Sequence, residues 1–289
     1  MTLNGTFTAL ITPFNSDGSV DYSALRALVQ WQIANGVEGI VPVGTTGESP
    51  TLDVHEHLKV ITTTVEAAEG KATIIAGTGA NSTSEAIELT RAVLGTGVDA
   101  TLQVTPYYNK PNSEGLFRHF AAVADLGLPV VLYNVPGRAA KEIPLDVVVR
   151  LAAYPNIAAI KEAGGSVERV SAIKNACELT VLSGDDSLTL PMISVGAEGV
   201  ISVASNVIPK EMSALVRLAL ANKFAEAREL HRTYYPLFHD LFLDTNPIPV
   251  KTALALMGRT NLVFRLPLCE PSDKIREQLS HTLRSFNLL

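Results

Sequence analysis

Cysteine is nearly missing from this chain: 289 residues hold two, Cys177 and Cys269. They make no C-x-x-C pair and no metal-ligand spacing, which excludes a disulfide framework and a zinc knuckle. Reduced thiols, and with them a cytoplasmic location, are expected. Basic charge is short as well. Lys and Arg number 23 against 29 Asp and Glu, the net charge is −6, and no Lys/Arg-rich run occurs. The electrostatic footprint of a nucleic-acid binder is therefore lacking. No stretch approaches the ~18 unbroken apolar residues of a membrane helix, so no membrane partner is expected. The opening MTLNGTFTALITPF has neither the basic nor the long apolar region of a targeting segment, and none is expected. The six histidines are scattered, and the HEH at His55–His57 lacks the i, i+4 spacing of a zinc helix. A metal is not expected. GTGANS from Gly77 lacks the third glycine of a dinucleotide loop, and there is no Walker A sequence. Asp185 and Asp186, read as adjacent strand residues, point to opposite faces and make a poor magnesium pair.

What is present is apolar sequence in short pieces. Apolar residues form 47% of the chain and charged ones 18%, enough to bury a core and wrong for disorder. Eight runs rich in Val, Ile, Thr and Ala begin at Phe7, Gly39, Ala72, Ala100, Pro129, Ile157, Leu179 and Gly199. They are apolar on both faces, as strands of a parallel sheet covered by helices should be. Helix signals fill the gaps. Asp21 precedes Leu25, Leu28, Val29 and Ile33, a pattern that stops at Gly36. Asp53 opens another that stops at Gly70. Ser82 with Glu85 reads as a capping box on a helix ending at Gly95, and Ser166 opens the helix after the sixth run. Eight β/α alternations predict an α/β fold, a (β/α)8 TIM barrel over residues 1–221. A doubly wound sheet usually has fewer strands and a Gly-rich fingerprint after the first one, where this chain has NSDGS. Residues 222–289 read as a C-terminal helical domain, with Pro236 expected to kink or break its first helix. No Gly/Ser/Pro-rich linker precedes it, so it should be docked rather than tethered, and concerned with assembly.

Active sites of such barrels lie at the C-terminal ends of the strands. Those ends carry Thr45, Thr46 and Glu48, then Tyr107 and Tyr108, Tyr133 running into Asn134 and Arg138, Lys161 with Glu162, Gly184 with Asp185 and Asp186, and Ile201 with Ser205 and Asn206. Lys161 is the most informative, because it interrupts the otherwise apolar IAAIKEA. A lysine head at a strand end can simply reach solvent. Burial, however, disfavours a charged ammonium, and an amine that sheds its proton can attack a ketone and form a Schiff base. A tyrosine in a strand is usually core or interface. Three of them near Thr45 can instead relay protons without adding a fixed charge beside an imine. Arg138, in YNVPGR, is either a surface arginine or a bidentate carboxylate clamp. The amides and hydroxyls of GTTGE offer a second carboxylate cradle. The rim suits acidic keto substrates.

Seven strings carry a family resemblance: GTTGES at 44–49, TPYYNKP at 105–111, YNVPGR at 133–138, IKEA at 160–163, SGDD at 183–186, GVISVASN at 199–206 and NPIPVK at 246–251. Over essentially its whole length the chain resembles the dihydrodipicolinate synthase family, within the pyruvate-dependent aldolases that include N-acetylneuraminate lyase. The resemblance implies a Schiff-base condensation of pyruvate with L-aspartate 4-semialdehyde, in diaminopimelate and lysine biosynthesis, without a cofactor. It implies that Lys161 forms the imine and that Tyr133, Thr45 and Tyr108 relay protons, Tyr108 from across a tight dimer interface. Thr46, Gly184 and Ile201 would surround the pyruvate carboxylate, and Arg138 would bind that of the semialdehyde. A homotetramer built as a dimer of dimers is implied too. So is an L-lysine effector site from Ser49, His57, Asn81, Glu85 and Tyr107, although Pro50 and Val54 depart from the inhibited pattern. The alternatives are a lyase or aldolase taking a sugar-derived aldehyde, and a silent keto-acid-binding homologue. Arg138, SGDD and NPIPVK favour the synthase over the former, and the complete Lys161–Tyr133–Thr45–Tyr108 set argues against the latter.

Overall fold

A computed structural model describes residues 3–289. All eight apolar runs form strands: β1 Gly5–Ala9, β2 Gly39–Val41, β3 Thr73–Gly77, β4 Ala100–Val104, β5 Val130–Asn134, β6 Ile157–Glu162, β7 Thr180–Ser183 and β8 Gly199–Ser202. Neighbours pair in parallel in chain order, and β8 returns to β1, so the barrel is closed. Closure demands glycine at one place. Gly199 stands against Gly5, and a Cβ there would lie 2.2 Å from the Gly5 carbonyl oxygen.

Alternation along each strand makes two cores. Phe7, Val41, Ile75, Leu102, Val131, Ala159, Leu182 and Ile201 point inward and fill the barrel. Ile40, Ile74, Leu132, Ile160, Val181 and Val200 point outward and meet the helices. With the interior filled by side chains, the strand C-terminal ends are the place left for chemistry.

The helices of the eight units are α1 Tyr22–Ala34, α2 Val54–Ala68, α3 Thr83–Ala92, α4 Ser113–Ala124, a one-turn α5 Pro136–Ala139 with α6 Leu145–Ala152, α7 Val167–Ala176, α8 Thr189–Ser194 and α9 Pro209–Leu220. Asp21 and Ser166 cap α1 and α7 as their positions predict. The capping box, however, belongs to α2. There Asp53 Oδ1 accepts from the Glu56 amide, and Glu56 accepts from the Asp53 amide. Ser82 does not cap α3, because its hydroxyl is engaged with Ser84 at 2.9 Å. That helix also stops at Ala92, short of Gly95.

Three helices complete the chain: α10 Phe224–Asp240, α11 Ile248–Leu256 and α12 Asp273–Ser285. Contrary to expectation, α10 continues through Pro236. The one backbone bond lost there is outweighed by the packing of the last turn. Leu237, Phe238 and Leu241 are buried, and Asp240 accepts from Thr282 and Gln278 of α12. Leu237, Val250, Leu254 and Leu279 join the same core that lies between strands and helices of the barrel.

Candidate active site

The β5–β6 register sets Tyr133 beside Lys161 and Asn134 beside Glu162. Lys161 is 6% exposed, and its Nζ lies 4.2 Å from the centroid of the Tyr133 ring. Among the described residues no hydrogen bond or close ion pair engages it, although the Asp185 carboxylate is near enough to feel its charge. The residue after β7 keeps the space around the amine clear. A Cβ at Gly184 would lie 3.1 Å from Lys161 Cε and 2.5 Å from the Ala163 Cβ. Ile201, in β8, is fully buried in the barrel interior.

The turn after β2 is tightly built. Val43 and Glu48 bracket it with φ of +56° and +55°, in a region where a β-branched residue is strained by about 1–3 kcal/mol. Two glycines make that conformation possible. A Cβ at Gly77 would lie 2.2 Å from the Val43 carbonyl oxygen, and one at Gly47 would lie 2.9 Å from the Val43 nitrogen. Between the brackets, Thr46 is 3% exposed and accepts at its hydroxyl from Asn246 Nδ2, 3.0 Å away. Arg138, on α5, donates through Nη2 to the Asn246 carbonyl at 2.9 Å. One residue shortly before α11 thus touches both groups read as carboxylate binders. Glu48 meets Lys251 Nζ at 2.6 Å, with both side chains shut off from solvent.

A cavity of about 400 Å³ opens here. Its wall contains Thr45, Tyr133 and Arg138, and also Ser49, His57, Glu85 and Tyr107. Two catalytic candidates, Thr45 and Tyr133, therefore share one space with four effector candidates, whereas Lys161, Tyr108, Thr46, Gly184 and Ile201 are not part of its wall. Pro50 and Val54 border it too. Asn81 does not, and instead donates to the Tyr107 carbonyl at 3.2 Å. Tyr108 is 90% exposed, with φ +74°. Among the described residues no hydrogen bond links the hydroxyls of Thr45, Tyr133 and Tyr108, so a single chain does not assemble the three.

Buried acids frame the rim. Burial pushes Glu162 up, although Asn134 and the Gly164 amide donate to it. Burial likewise raises Asp186 to about 6, against hydrogen bonds from Ser202 and the Val203 and Ala204 amides. Asp185 is raised by burial, against the lowering effect of the Lys161 charge. β7 ends at Ser183, so both acids lie in the turn rather than on a strand, and Asp186 pins the start of the loop after β8. His57 is held down by burial, with its Nε2 2.7 Å from the Gly77 carbonyl oxygen. Burial and then Glu85 raise Tyr107. No group of three or more His, Cys, Asp or Glu among the described residues is placed to hold a metal ion.

Asn246 and Lys251 escape a reading of strand ends because they belong to no strand. Lys251 carries the same signal as Lys161, a lysine inside an apolar run (PIPVKTALALM). Asn246 carries no such signal of its own, and only the NPIPVK string of the family resemblance marks it.

A family-wide sequence profile described as the dihydrodipicolinate synthetase family matches residues 2–286. The chain is 48% identical to the 4-hydroxy-tetrahydrodipicolinate synthase of Methanococcus maripaludis strain C6, over 99% of this chain and 100% of that one. It superposes with TM-score 0.98 on the chloride-inhibited dihydrodipicolinate synthase of Acinetobacter baumannii complexed with pyruvate, at 45% identity and 100% coverage of both chains. It superposes with TM-score 0.95 on the lysine-bound enzyme of Cyanidioschyzon merolae, at 40% identity and 99% coverage of both.

Proposed function

The chain belongs to the dihydrodipicolinate synthetase family, and from that membership we infer how its own residues carry the reaction. It is a lyase that condenses pyruvate with L-aspartate 4-semialdehyde to 4-hydroxy-tetrahydrodipicolinate, on the route to diaminopimelate and lysine. The observation behind the residue roles is Lys161: a buried amine with no hydrogen bond or close ion pair among the described residues, against Tyr133, which lines a cavity together with Thr45 and Arg138.

The Lys161 Nζ attacks the pyruvate ketone, and the carbinolamine loses water to give an imine. Tyr133 and Thr45, with Tyr108 from a second subunit, move the protons of both steps. The pyruvate carboxylate sits on the turn amides and Thr46, in the space that Gly184 leaves open and Ile201 borders. The protonated imine then draws electrons from the methyl carbon, which loses a proton to become an enamine. Arg138 holds the semialdehyde carboxylate bidentately, and the enamine carbon attacks the aldehyde. The amino group of the substrate closes the ring on the imine carbon and releases Lys161. The lysine supplies the electron sink, so the scheme needs no cofactor.

The exposed Tyr108 supports a homo-oligomer, proposed as a dimer of dimers. The shared cavity wall at Ser49, His57, Glu85 and Tyr107 supports L-lysine as an effector. Unchanged turnover in millimolar lysine would remove the effector. Cysteine usage supports the cytoplasm. A product assay tests the substrate pair: pyruvate with aspartate semialdehyde gives the cyclic product, and replacing the semialdehyde by a sugar-derived aldehyde gives none. The reverse result would assign the chain to the sugar-acid aldolases.

A further inference from the structure

Three carboxylates are buried at the barrel mouth beside the reacting groups: Glu48, Glu162 and Asp186. Two are satisfied from within the eight units, by Asn134 and Gly164 in one case and by Ser202, Val203 and Ala204 in the other. Glu48 is not. Its partner is Lys251 on α11, 2.6 Å away, and both side chains are fully excluded from solvent. The Lys251 ammonium also lies 3.9 Å from the Phe14 ring centroid and 5.2 Å from that of Phe264. The second Glu48 oxygen faces the Arg265 amide at 3.5 Å. Every group that holds this carboxylate comes from residues beyond the eighth unit.

The position of Glu48 gives the pair leverage. Its φ of +55° closes the turn that presents Thr45 and Thr46. The turn is drawn tight by bonds from the Gly47 amide to the Gly44 carbonyl and from the Glu48 amide to the Thr45 carbonyl. A residue other than glycine stays in the left-handed region only where its surroundings over-determine it. An ion pair in a dry, low-dielectric site does that, since its geometry is stiff and rotation of the acid would leave two unpaired charges. The same segment reaches Thr46 a second time through Asn246.

We propose that Lys251 is a positioning residue: through Glu48 it fixes the Gly44–Glu48 turn in the shape that receives the pyruvate carboxylate, so that the C-terminal helices set the affinity for the first substrate. The proposal rests on the Schiff-base reading of Lys161. It separates from a purely structural role by a property of buried ion pairs. Removing one partner strands a charge, whereas removing both does not, so stability and positioning come apart in the double variant.

The test compares Glu48→Gln, Lys251→Met and the double Glu48→Gln/Lys251→Met by thermal unfolding and by steady-state kinetics in each substrate. The double variant is expected to melt close to the parent, well above Lys251→Met. Its KM for pyruvate should nonetheless rise about tenfold, with KM for the semialdehyde and kcat at saturating pyruvate changed less than about threefold. Glu48→Gln, which keeps an acceptor but leaves the Lys251 charge without its counter-charge, should melt lower and show the same split between the two KM values. A well-folded double variant with the parent's pyruvate KM would assign the pair to stability alone and overturn the proposal. So would an equal loss in both substrates, or failure of both the double variant and Glu48→Gln to fold. Borohydride trapping at saturating pyruvate is run alongside. An adduct on Lys161 in parent and variants keeps the Schiff-base reading whatever the KM result, and its absence in the parent would remove that reading instead.

Discussion

At the scale of single residues, Lys161 and Arg138 divide the labour between the two carbonyl substrates in the proposed scheme. Lys161 is a buried amine against the Tyr133 ring, and Arg138 is tied by one bond to the Asn246 carbonyl while it lines the cavity. Arg138→Ala should therefore raise KM for the semialdehyde about a hundredfold, the loss of a bidentate charge pair, while pyruvate still forms its imine. Substrate-dependence of initial rates, with trapping as the control, reads both numbers. Equal damage to both substrates would mean that Arg138 shapes the site as a whole. Tyr133→Phe keeps the ring against the Lys161 amine and removes only the hydroxyl. Single-turnover imine formation should slow about a hundredfold, the lower end of what a positioned proton donor contributes. Lys161 is legible in the sequence because charge inside an apolar strand is costly without a reason. Lys251 is equally legible as charge inside an apolar run, but that run is a C-terminal helix, and strand ends alone do not lead to it. Asn246 is marked only as the first residue of the NPIPVK string that the family resemblance uses. An asparagine before a proline reads as loop, and only the fold brings it to Thr46 and Arg138.

At the scale of elements, the eight alternations are plain because each strand is buried on both faces and each helix has an apolar stripe. Helix ends are harder, because a cap is a matter of hydrogen-bond geometry that residue type only permits. Asp53 and Ser82 make the contrast measurable. Asp53→Ala should cost about 1 kcal/mol in urea unfolding, whereas Ser82→Ala should cost almost nothing, because the Asp53 carboxylate accepts from the helix backbone and the Ser82 hydroxyl does not. Equal losses would contradict the assignment of the capping box to α2. Pro236 is the converse case. The break it predicts locally is overridden by tertiary burial, which no single-helix rule contains. The turn after β2 depends on partners far along the chain, the Gly77 backbone and Lys251, and so its strain is invisible in GTTGES itself.

At the scale of the whole molecule, the barrel and its last three helices share one core, and the C-terminal segment reaches the site through Asn246 and Lys251. Its expected concern with assembly is thus too narrow. Two buried groups also set opposite pH dependences of stability. Burial lowers His119 to about 4 from 6.5, so the unfolded chain binds more protons between those values and stability rises with pH across that window. Asp186 is raised to about 6 from 3.8, so the folded chain binds more and stability falls as pH climbs through that range. A His119→Asn variant isolates the histidine. The stability difference between parent and variant should grow by roughly 3 kcal/mol from about pH 4 to about pH 6.5, measured by urea unfolding at both. A flat difference would mean that His119 is protonated when folded. Subunit sharing is tested by mixing. Lys161→Ala and Tyr108→Phe chains, each impaired alone, should regain activity when refolded together, and no gain would confine Tyr108 to its own subunit.

The central claim is that Lys161 joins covalently to pyruvate, and borohydride reduction tests it most directly. The protein is treated with pyruvate and borohydride, digested, and the peptides read by mass spectrometry. A reduced pyruvate adduct on Lys161, absent when pyruvate is left out and absent in Lys161→Ala, is the result the account predicts. An unmodified Lys161 in active, pyruvate-saturated protein would contradict it.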